Sequence, residues 1–539
     1  MVSLADRPGT VFCLALVLTF FITAAWSLAT PLYSGPDEGT HVVRAVALER
    51  GQPVGRTIGN AANPNTTVTV PALYADGQGW ATCFGTNNTR GARCSGRMPT
   101  GTQLVVTTTY VGRYPPLYYA VAGLPSLVTT SVTGVYAMRL VSALLSSVFV
   151  ALAVMCIAKW SKRRFLFIGL LLALSPMTQY LSGIVNPSGL EITSAIGLWT
   201  AGLILVERAE DPPRGLVIIA TVCAVVLMLT RGLSPMWVGV IAVLLIVLAG
   251  RRAAMELLRH RSVQISVVVV GVGAVVAVAW IVPMHGLDLL ALGVKVGPHE
   301  TPGQIIVGIF DNTGTWFQQM VGVFGWLDTP APFISVLAWY GAIGFLIVMA
   351  LGSASRRGAG VLLGLIAVVI LVPVAISYAE AHRLGIIWQA RYVMPVAVGI
   401  PLLTATLIDG RSFRSVRTRI AVVIAVGVWV GETAAFLLLQ RRYAVGINGV
   451  LNYLDRGWRP PLGTLVMGAW FVVSSTLFVV LVVAMAVKNP GSLAEPGASA
   501  GAAARDLPTR VTDGGDEIPA DASPGVSTSS APAGTPHTV

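Results

Sequence analysis

Long apolar runs recur along nearly the whole chain, and they constrain the fold more than any other feature of the sequence. Of the 539 residues, 54% are hydrophobic and only 11% are charged, whereas soluble domains carry roughly 25% charged residues. Because so few charges cannot cover a water-facing surface of this size, the chain must present apolar side chains to lipid. The composition therefore predicts an all-α integral membrane protein.

The apolar runs are long enough to cross a bilayer as helices. A span needs about 20 mostly apolar residues, and about twelve runs come near that length. The first run is too long for the apolar part of a signal peptide and lacks a small-residue cleavage site, so we interpret it as a retained span. The predicted spans are 11–30, 135–158, 165–184, 190–206, 215–230, 235–249, 264–284, 332–352, 358–378, 393–408, 420–439 and 464–487.

Basic residues between the runs predict the orientation, because Lys and Arg concentrate in cytoplasmic loops. Placing every basic cluster in the cytoplasm also puts both termini there and leaves a long first extracytoplasmic loop over 31–134. The apolar segment 117–132 would invert this arrangement if it crossed the membrane, so we predict an interfacial helix there. The clusters lie at Lys159–Arg164, Arg251–Arg261, Arg356–Arg357 and Arg411–Arg419.

The net charge of +12 fits either anchoring at the inner leaflet or binding to nucleic acid. Clustering of the basic residues in short loops favours anchoring, so we expect no nucleic-acid partner. Few Lys and abundant Ala, Gly and Val are typical of a GC-rich bacterial genome, which predicts a bacterial plasma-membrane protein. A transmembrane domain over 1–487 would then precede a disordered cytoplasmic tail over 488–539, which has no hydrophobic period.

The most informative polar cluster follows the first predicted span. Asp37, His41 and Arg44 are spaced at i, i+4 and i+7, so they would share one face of a helix. A carboxylate beside His and Arg suits a general base with an anion-binding set, which makes Asp37 and its neighbour Glu38 the candidate catalytic residues. The alternative is a solvated helix start with a local salt bridge and no chemistry.

Other polar residues lie at the ends of predicted spans, where an ionisable group either marks function or reaches out to phosphate headgroups. Arg139 and Arg231 are in this position, and both interpretations stay open for them. Basic charge on the extracytoplasmic side opposes the usual bias and favours an anionic ligand, while aromatic rings beside charge suit a headgroup or a sugar. The remaining candidates for substrate binding are Trp326, Asp328, Gln389, Arg391, Tyr392, Arg442 and Tyr443.

Cysteine and metal chemistry leave two questions open. Cys83 and Cys94 share the first loop, and they could form a disulfide if that loop faces an oxidising space. The histidines show no metal-ligand spacing, and the absence of a Walker-type loop argues against an ATP-driven pump. Asp37, Glu38 and Asp328 could still hold a divalent ion, Mg or Mn, if their loops converge.

Five short motifs occur in order along the chain. They are Pro36-Asp37-Glu38-x-x-His41-x-x-Arg44-Ala45, Tyr114-Pro115-Pro116-Leu117-Tyr118-Tyr119 followed by Arg139-Leu140, Gly325-Trp326-Leu327-Asp328, Gln389-Ala390-Arg391-Tyr392-x-x-Pro395, and Arg442-Tyr443-x-x-Gly446. Together they resemble an uncharacterised family of bacterial multi-pass membrane proteins related to the GT-C superfamily, whose glycosyltransferases use polyprenyl-phosphate sugars. The fourth motif departs from that family in having Ala390 in place of Gly.

The resemblance implies a GT-C-like bundle with its catalytic carboxylate in the first extracytoplasmic loop, framed by interfacial helices. Asp37 stands at the matching position, with Glu38 as its close rival. A sugar would pass from a polyprenyl-phosphate-linked donor to an envelope glycan, lipid or protein. Tyr114 would join the substrate-binding residues, His41 and Arg44 would orient the acceptor, and an arginine would hold the phosphate. The candidates for that arginine are Arg139, Arg231, Arg391 and Arg442.

Transfer would be direct and inverting, because the first motif supplies one base rather than two separated carboxylates. The main alternative is a transporter or flippase of a lipid-linked or small polar substrate, which predicts polar groups near mid-membrane and often an internal repeat. The gathering of polar residues at one membrane face favours the enzyme. A non-catalytic scaffold in envelope assembly is the third hypothesis.

Overall fold

A computed structural model describes residues 7–58, 64–288, 296–297, 300–408 and 417–487. The predicted tail over 488–539 and the basic residues Arg411 and Arg414 lie outside this part of the chain. In chain order the α-helices are α1 (Pro8–Ala29), α2 (Glu38–Glu49), α3 (Ala72–Trp80), α4 (Thr82–Gly85), α5 (Leu117–Ala122), α6 (Pro125–Val128), α7 (Val132–Trp160), α8 (Leu166–Ala173), α9 (Pro176–Ser182), α10 (Pro187–Glu207), α11 (Arg214–Met228), α12 (Ser234–Arg259), α13 (Arg261–Ile281), α14 (Pro302–Asp311), α15 (Thr313–Gly322), α16 (Phe333–Ser353), α17 (Arg356–Leu384), α18 (Met394–Ala397), α19 (Gly399–Leu407), α20 (Arg417–Val445) and α21 (Thr464–Val487).

Nine helices of the described residues are long and apolar enough to cross a membrane, which confirms an all-α membrane protein. These helices are α1, α7, α10, α12, α13, α16, α17, α20 and α21. Helices α12, α13 and α16 keep most of their surface exposed, whereas α10 is almost wholly buried. The bundle therefore has α10 at its centre, packed against α7 and α11.

The predicted count of about twelve spans is not confirmed, because three of the predicted segments are not single long helices. The segment 215–230 forms α11, which has 15 residues. The segment 165–184 divides into α8 and α9, and the segment 393–408 divides into α18 and α19. The first break follows from Pro176, since a proline disfavours helical backbone in the residue before it and suits the first turn of a new helix.

The loop between α1 and α7 carries a small three-stranded sheet. Its three strands β1 (Arg56–Thr57), β2 (Thr66–Pro71) and β3 (Leu104–Thr109) form an antiparallel sheet in the order β1-β2-β3. Helix α2 packs on this sheet, and a disulfide between Cys83 and Cys94 closes the segment after α4. The predicted interfacial helix over 117–132 is instead the two short helices α5 and α6, and α7 already begins at Val132.

A second, two-stranded ladder follows α15. Strands β4 (Val323–Phe324) and β5 (Thr329–Pro330) pair antiparallel around a tight turn. Gly325 in this turn has φ 66°, and a side chain there would meet the Asp328 carboxylate at 2.1 Å. The turn therefore requires glycine, and it fixes the position of the next residue, Trp326.

One ion pair ties the first loop to the bundle. Arg139 of α7 is fully buried and donates to both carboxylate oxygens of Glu38 at 2.6 Å. Its remaining N–H groups donate to the carbonyl oxygens of Ser27, Thr30 and Pro31 at 2.7 to 2.8 Å. Because the last carbonyls of a helix lack intrahelical partners, Arg139 completes the end of α1 and fixes the start of α2 at the same point.

Replacing Arg139 by Met should strongly destabilise the protein, because it leaves the Glu38 carboxylate buried without a cation. Loss of one partner of a buried pair costs about 3–5 kcal/mol. Thermal unfolding in detergent would measure the loss. The matched control is Arg259→Met, which breaks the exposed pair with Glu256 and should cost less than about 1 kcal/mol. Equal losses in the two variants would contradict this role of Arg139.

Candidate active site

A cavity of about 370 Å³ opens beside the start of α2, just past the end of α1. Its wall is formed by the α1–α2 connection, α3, the residue after β3, the β4–β5 turn and the segment before α18. The side chains that matter below are Asp37, Thr40, Gln78, Tyr110, Trp326 and Gln389. Two of the sequence motifs that are more than 280 residues apart, around Asp37 and Trp326, thus meet at one site.

The backbone of this wall is strained. Tyr33, Asp37 and Leu327 have φ of 61°, 59° and 62° although none is glycine, and all three line the cavity. In the described part of the chain only His285 shares this conformation among non-glycine residues. Each such residue costs on the order of 1–3 kcal/mol, and such strain concentrates at functional sites. The backbone therefore makes this cavity a candidate functional site.

Asp37 lies at the boundary of α2 rather than inside it. The helix begins at Glu38, so the predicted helical face shared by Asp37, His41 and Arg44 is only partly right. The Asp37 side chain makes no capping bond to the helix. Instead it accepts a hydrogen bond from the Tyr110 hydroxyl at 2.6 Å and forms an ion pair with Arg391.

The Asp37 carboxylate combines ionisation with access. Burial alone would raise the pKa of Asp37, but the Arg391 guanidinium and the Tyr110 hydroxyl outweigh it and lower that pKa to about 2. Burial and the neighbouring carboxylate raise the pKa of Tyr110, so its hydroxyl stays protonated and donates. The Asp37 side chain is 31% exposed, and it is therefore an ionised group that a ligand in the cavity can reach.

Glu38, the predicted rival of Asp37, has a different environment. It is 0% exposed, and besides Arg139 its oxygens accept from the backbone amides of Gly35 and Val185 at 3.3 and 3.2 Å. The arrangement favours Asp37 as the reactive carboxylate. Arg139 likewise does not fit the expected role of phosphate ligand, since every one of its donors is engaged by protein.

His41 and Arg44 lie behind the cavity wall rather than in it. His41 is hydrogen-bonded through Nδ1 to the Tyr119 hydroxyl at 2.8 Å, and Arg44 donates to the Tyr114 carbonyl at 3.2 Å. Both are buried, at 3% and 1% exposure. Burial lowers the pKa of His41 to about 3, so its imidazole is neutral at ordinary pH. Direct orientation of an acceptor by these two residues does not fit their positions.

Arg442 and Asp328 form a second structural pair. Arg442 of α20 is 0% exposed and donates to Asp328 at 2.7 Å and to the carbonyls of Phe84 and Arg90 at 2.7 and 2.8 Å. It thereby holds the disulfide-closed segment of the first loop against α20. Tyr443 beside it is buried as well, so this part of the predicted binding set supports the site from outside the cavity.

A second cavity of about 240 Å³ lies on the other side of the segment 388–392. Arg231, between α11 and α12, lies in its wall with its guanidinium 4.9 Å from the ring centre of Tyr392 and 5.8 Å from that of Tyr114. Arg231 also donates to Ser188 and pairs with Glu191 at 3.2 Å. Arg231, Tyr114 and Tyr392, three predicted binding residues, thus come together as expected of a binding site.

The segment 388–392 forms a partition between the two cavities. Trp388 and Tyr392 line the cavity of Arg231, whereas Gln389 lines the cavity of Asp37. Arg391 lies between them, 3% exposed and paired with Asp37. The fourth motif therefore contributes to both cavities, through Gln389 on one side and Tyr392 on the other.

Tyr110 and Gln78 were missed by the sequence analysis. Tyr110 directly follows β3, whose pairing with β2 in the register Thr66↔Thr109 carries it to Asp37. A single Tyr in a polar loop gives no signal of this. The possibility that Asp37, Glu38 and Asp328 hold a divalent ion finds no support, because the described residues contain no group of three His, Cys, Asp or Glu suited to a metal. Asp37, Glu38 and Asp328 each pair with a different arginine.

Comparison with known proteins gives one family and two solved structures. The family described as "Predicted membrane protein (DUF2142)" matches residues 20–400. No curated protein matches the sequence. A crystal structure of ArnT from Cupriavidus metallidurans bound to undecaprenyl phosphate is 14% identical, with a TM-score of 0.42 over 91% of this chain and 79% of that one. Its apo structure is 15% identical over the same shares, with a TM-score of 0.40.

Replacing Arg391 by Gln should raise the pKa of Asp37 above the ordinary aspartate value of about 3.9, since burial remains and the cation is gone. Carbodiimide activates carboxyl groups through their protonated form, so modification of Asp37 at pH 5 should be faster in this variant than in the wild type. Peptide mass spectrometry would measure the rate. Glu38 on the same peptide is the internal control and should stay unmodified. An unchanged rate at Asp37 would contradict the assigned cause of its low pKa.

Proposed function

We propose that this chain, which belongs to the DUF2142 family of predicted membrane proteins, is a glycosyltransferase. It would move a sugar from a polyprenyl-phosphate-linked donor to a cell-envelope acceptor. The observation that carries the proposal is the Asp37 carboxylate, which lies shortly after the first membrane span. This carboxylate is ionised, paired with Arg391 and reachable from a cavity. An acid–base group at that depth suits a substrate with a lipid part and a polar head.

The two cavities suit the two halves of such a reaction. The cavity of Asp37 would hold the acceptor hydroxyl beside its base, and the cavity of Arg231 would hold the donor phosphate. Arg231 and Tyr392 offer a cation and an aromatic ring there, which is a suitable environment for a phosphate on a lipid. Arg391 lies between the cavities, where it can pair either with Asp37 or with the donor phosphate.

Arg391 would make binding of the donor precede proton abstraction by Asp37. While it is paired with Asp37, the low pKa of about 2 makes that carboxylate a weak base. An arriving phosphate competes for the guanidinium, and its capture of Arg391 removes the main interaction that lowers the pKa of Asp37. Asp37 then becomes a stronger base at the moment when the donor is in place, while Tyr110 keeps it oriented.

Transfer itself would be a single displacement. Asp37 takes the proton of the acceptor hydroxyl, the acceptor oxygen bonds to the anomeric carbon, and the bond from that carbon to the phosphate oxygen breaks. The polyprenyl phosphate leaves with the bonding electron pair, and Arg391 and Arg231 stabilise its charge. One base and one step invert the anomeric centre.

Asp37→Asn should lower transfer by about 10²–10⁴-fold, the usual contribution of a general base. The measurement is transfer of radiolabelled sugar from polyprenyl-phosphate sugars to envelope acceptors by protein reconstituted in liposomes. Asp76→Asn changes an exposed carboxylate of the same loop and should leave the rate unchanged. Equal transfer by wild type and Asp37→Asn would refute the catalytic assignment.

The proposed extracytoplasmic position of the site predicts a labelling pattern. Thr102 in the first loop and Ser353 at the end of α16 are both exposed, whereas Ser34 is buried and unsuitable for labelling. In a Cys13→Ala background, a membrane-impermeant maleimide should label Thr102→Cys on intact cells and Ser353→Cys only after lysis. The reverse pattern would overturn the orientation and, with it, access to the proposed donor.

A further inference from the structure

The cavity of Asp37 differs in charge from the cavity of Arg231. Among the described residues that line it, Asp37 and Glu38 are the only ionisable acids or bases other than tyrosines. The Glu38 charge is neutralised by Arg139 inside the protein. An anionic ligand in this cavity would therefore face the Asp37 carboxylate with no cation lining the wall, while Arg391 is already held by that carboxylate.

Trp326 supplies a fixed aromatic surface in the same wall. Its indole N–H donates to the Tyr33 carbonyl at 3.2 Å, and its ring packs so closely on Gly85 that a side chain there would meet it at 3.0 Å. The β4–β5 turn and the Asp328–Arg442 pair hold the backbone on either side. Because the ring is fixed before any ligand binds, stacking on it costs little conformational entropy.

Two amides complete the wall. The Gln78 amide nitrogen donates to Thr107 at 3.1 Å, so β3 holds this side chain in place. Gln389 Oε1 is buried and has no hydrogen-bond partner among the described residues. A buried acceptor without a donor is costly, and a ligand hydroxyl would satisfy it.

We infer that this cavity binds an uncharged sugar ring, stacked on Trp326 and hydrogen-bonded through its hydroxyls to Gln389 and Gln78. The polarised C–H bonds of a sugar face suit the negative face of an indole ring, and amides match hydroxyls as both donors and acceptors. The volume of about 370 Å³ is in the range of about 300–1,000 Å³ that is usual for small-molecule sites. The inference deepens the proposed function by naming its substrate class, and it applies equally to the donor sugar and to an acceptor sugar.

The test measures binding without turnover. Saturation-transfer NMR would be recorded on the full chain in lipid nanodiscs, since glycoside detergents would compete. The probes are the methyl glycosides of glucose, mannose, galactose and arabinose, with glucuronic acid and glucose 6-phosphate as anionic counterparts. Wild type should bind at least one neutral glycoside more tightly than the anionic probes. Asp37→Asn should keep this binding and should also bind glucuronic acid, because the repelling charge of the carboxylate is gone.

Variants of the wall give the second half of the test. Trp326→Ala should weaken glycoside binding about tenfold, which corresponds to about 1.4 kcal/mol of stacking, whereas Trp326→Phe should keep most of it. Gln389→Leu should weaken glycoside binding without loss of stability. If Trp326→Ala does not fold, Gln389→Leu alone tests whether the sugar binds at this wall. The matched control is Trp458→Ala, a partly exposed Trp of another loop, which should bind like wild type.

Two outcomes would overturn the inference. One is anionic probes that bind as well as neutral ones, and the other is binding unaffected in both Trp326→Ala and Gln389→Leu. Glycoside binding without transfer from polyprenyl-phosphate sugars would support the inference and refute the proposed function instead. Where transfer is measurable, Trp326→Ala should raise KM for the acceptor if the sugar ring in the cavity is the acceptor's, and for the donor if it is the donor's.

Discussion

The buried ion pair between Glu38 and Arg139 is the interaction on which the rest of the site depends. Two charges removed from water are stable only if geometry and additional hydrogen bonds compensate their desolvation. Here Arg139 has a partner for each of its donors, and Glu38 receives two backbone amides as well. Through this pair, α7 contacts both the end of α1 and the start of α2. The neighbouring residue, Asp37, therefore has a fixed position.

Two adjacent carboxylates thereby acquire different roles from their environments. Glu38 is enclosed and serves structure, whereas Asp37, in a left-handed conformation with φ of 59°, turns its side chain into the cavity. The arginines likewise differ in how many of their donors are bound by protein. Arg139 has all five donors occupied by protein oxygens, and Arg442 donates to two carbonyls and to Asp328. Arg391 is held mainly by Asp37. An arginine with one principal partner is more readily captured by a competing anion than one with several.

The sequence was sufficient for the class of protein and its family, and it directed attention to the loop that carries the candidate site. Apolar run length predicts the nine long helices because a bilayer imposes a minimum on each, and the spacing around Asp37 survives as a motif because those residues share one short helix and its cap. It was not sufficient to tell Arg391 from Arg139 or Arg442. All three are arginines near span ends, and only the tertiary partners of each decide whether its charge is available. Tyr110 required the register of β3 against β2, which no local pattern specifies.

The segment 388–392 shows why the two cavities would act together. Its residues are divided between them, with Trp388 and Tyr392 on the side of Arg231 and Gln389 on the side of Asp37. Arg391 in the same short turn bonds to Asp37 and to the Pro36 carbonyl, so it is anchored to the strained connection before α2. A ligand that draws Arg391 toward the Arg231 cavity must therefore change the surroundings of Asp37 and Gln389 at the same time. Under the proposed function, occupation of the donor site would therefore alter the acceptor site, because both are built on this one turn.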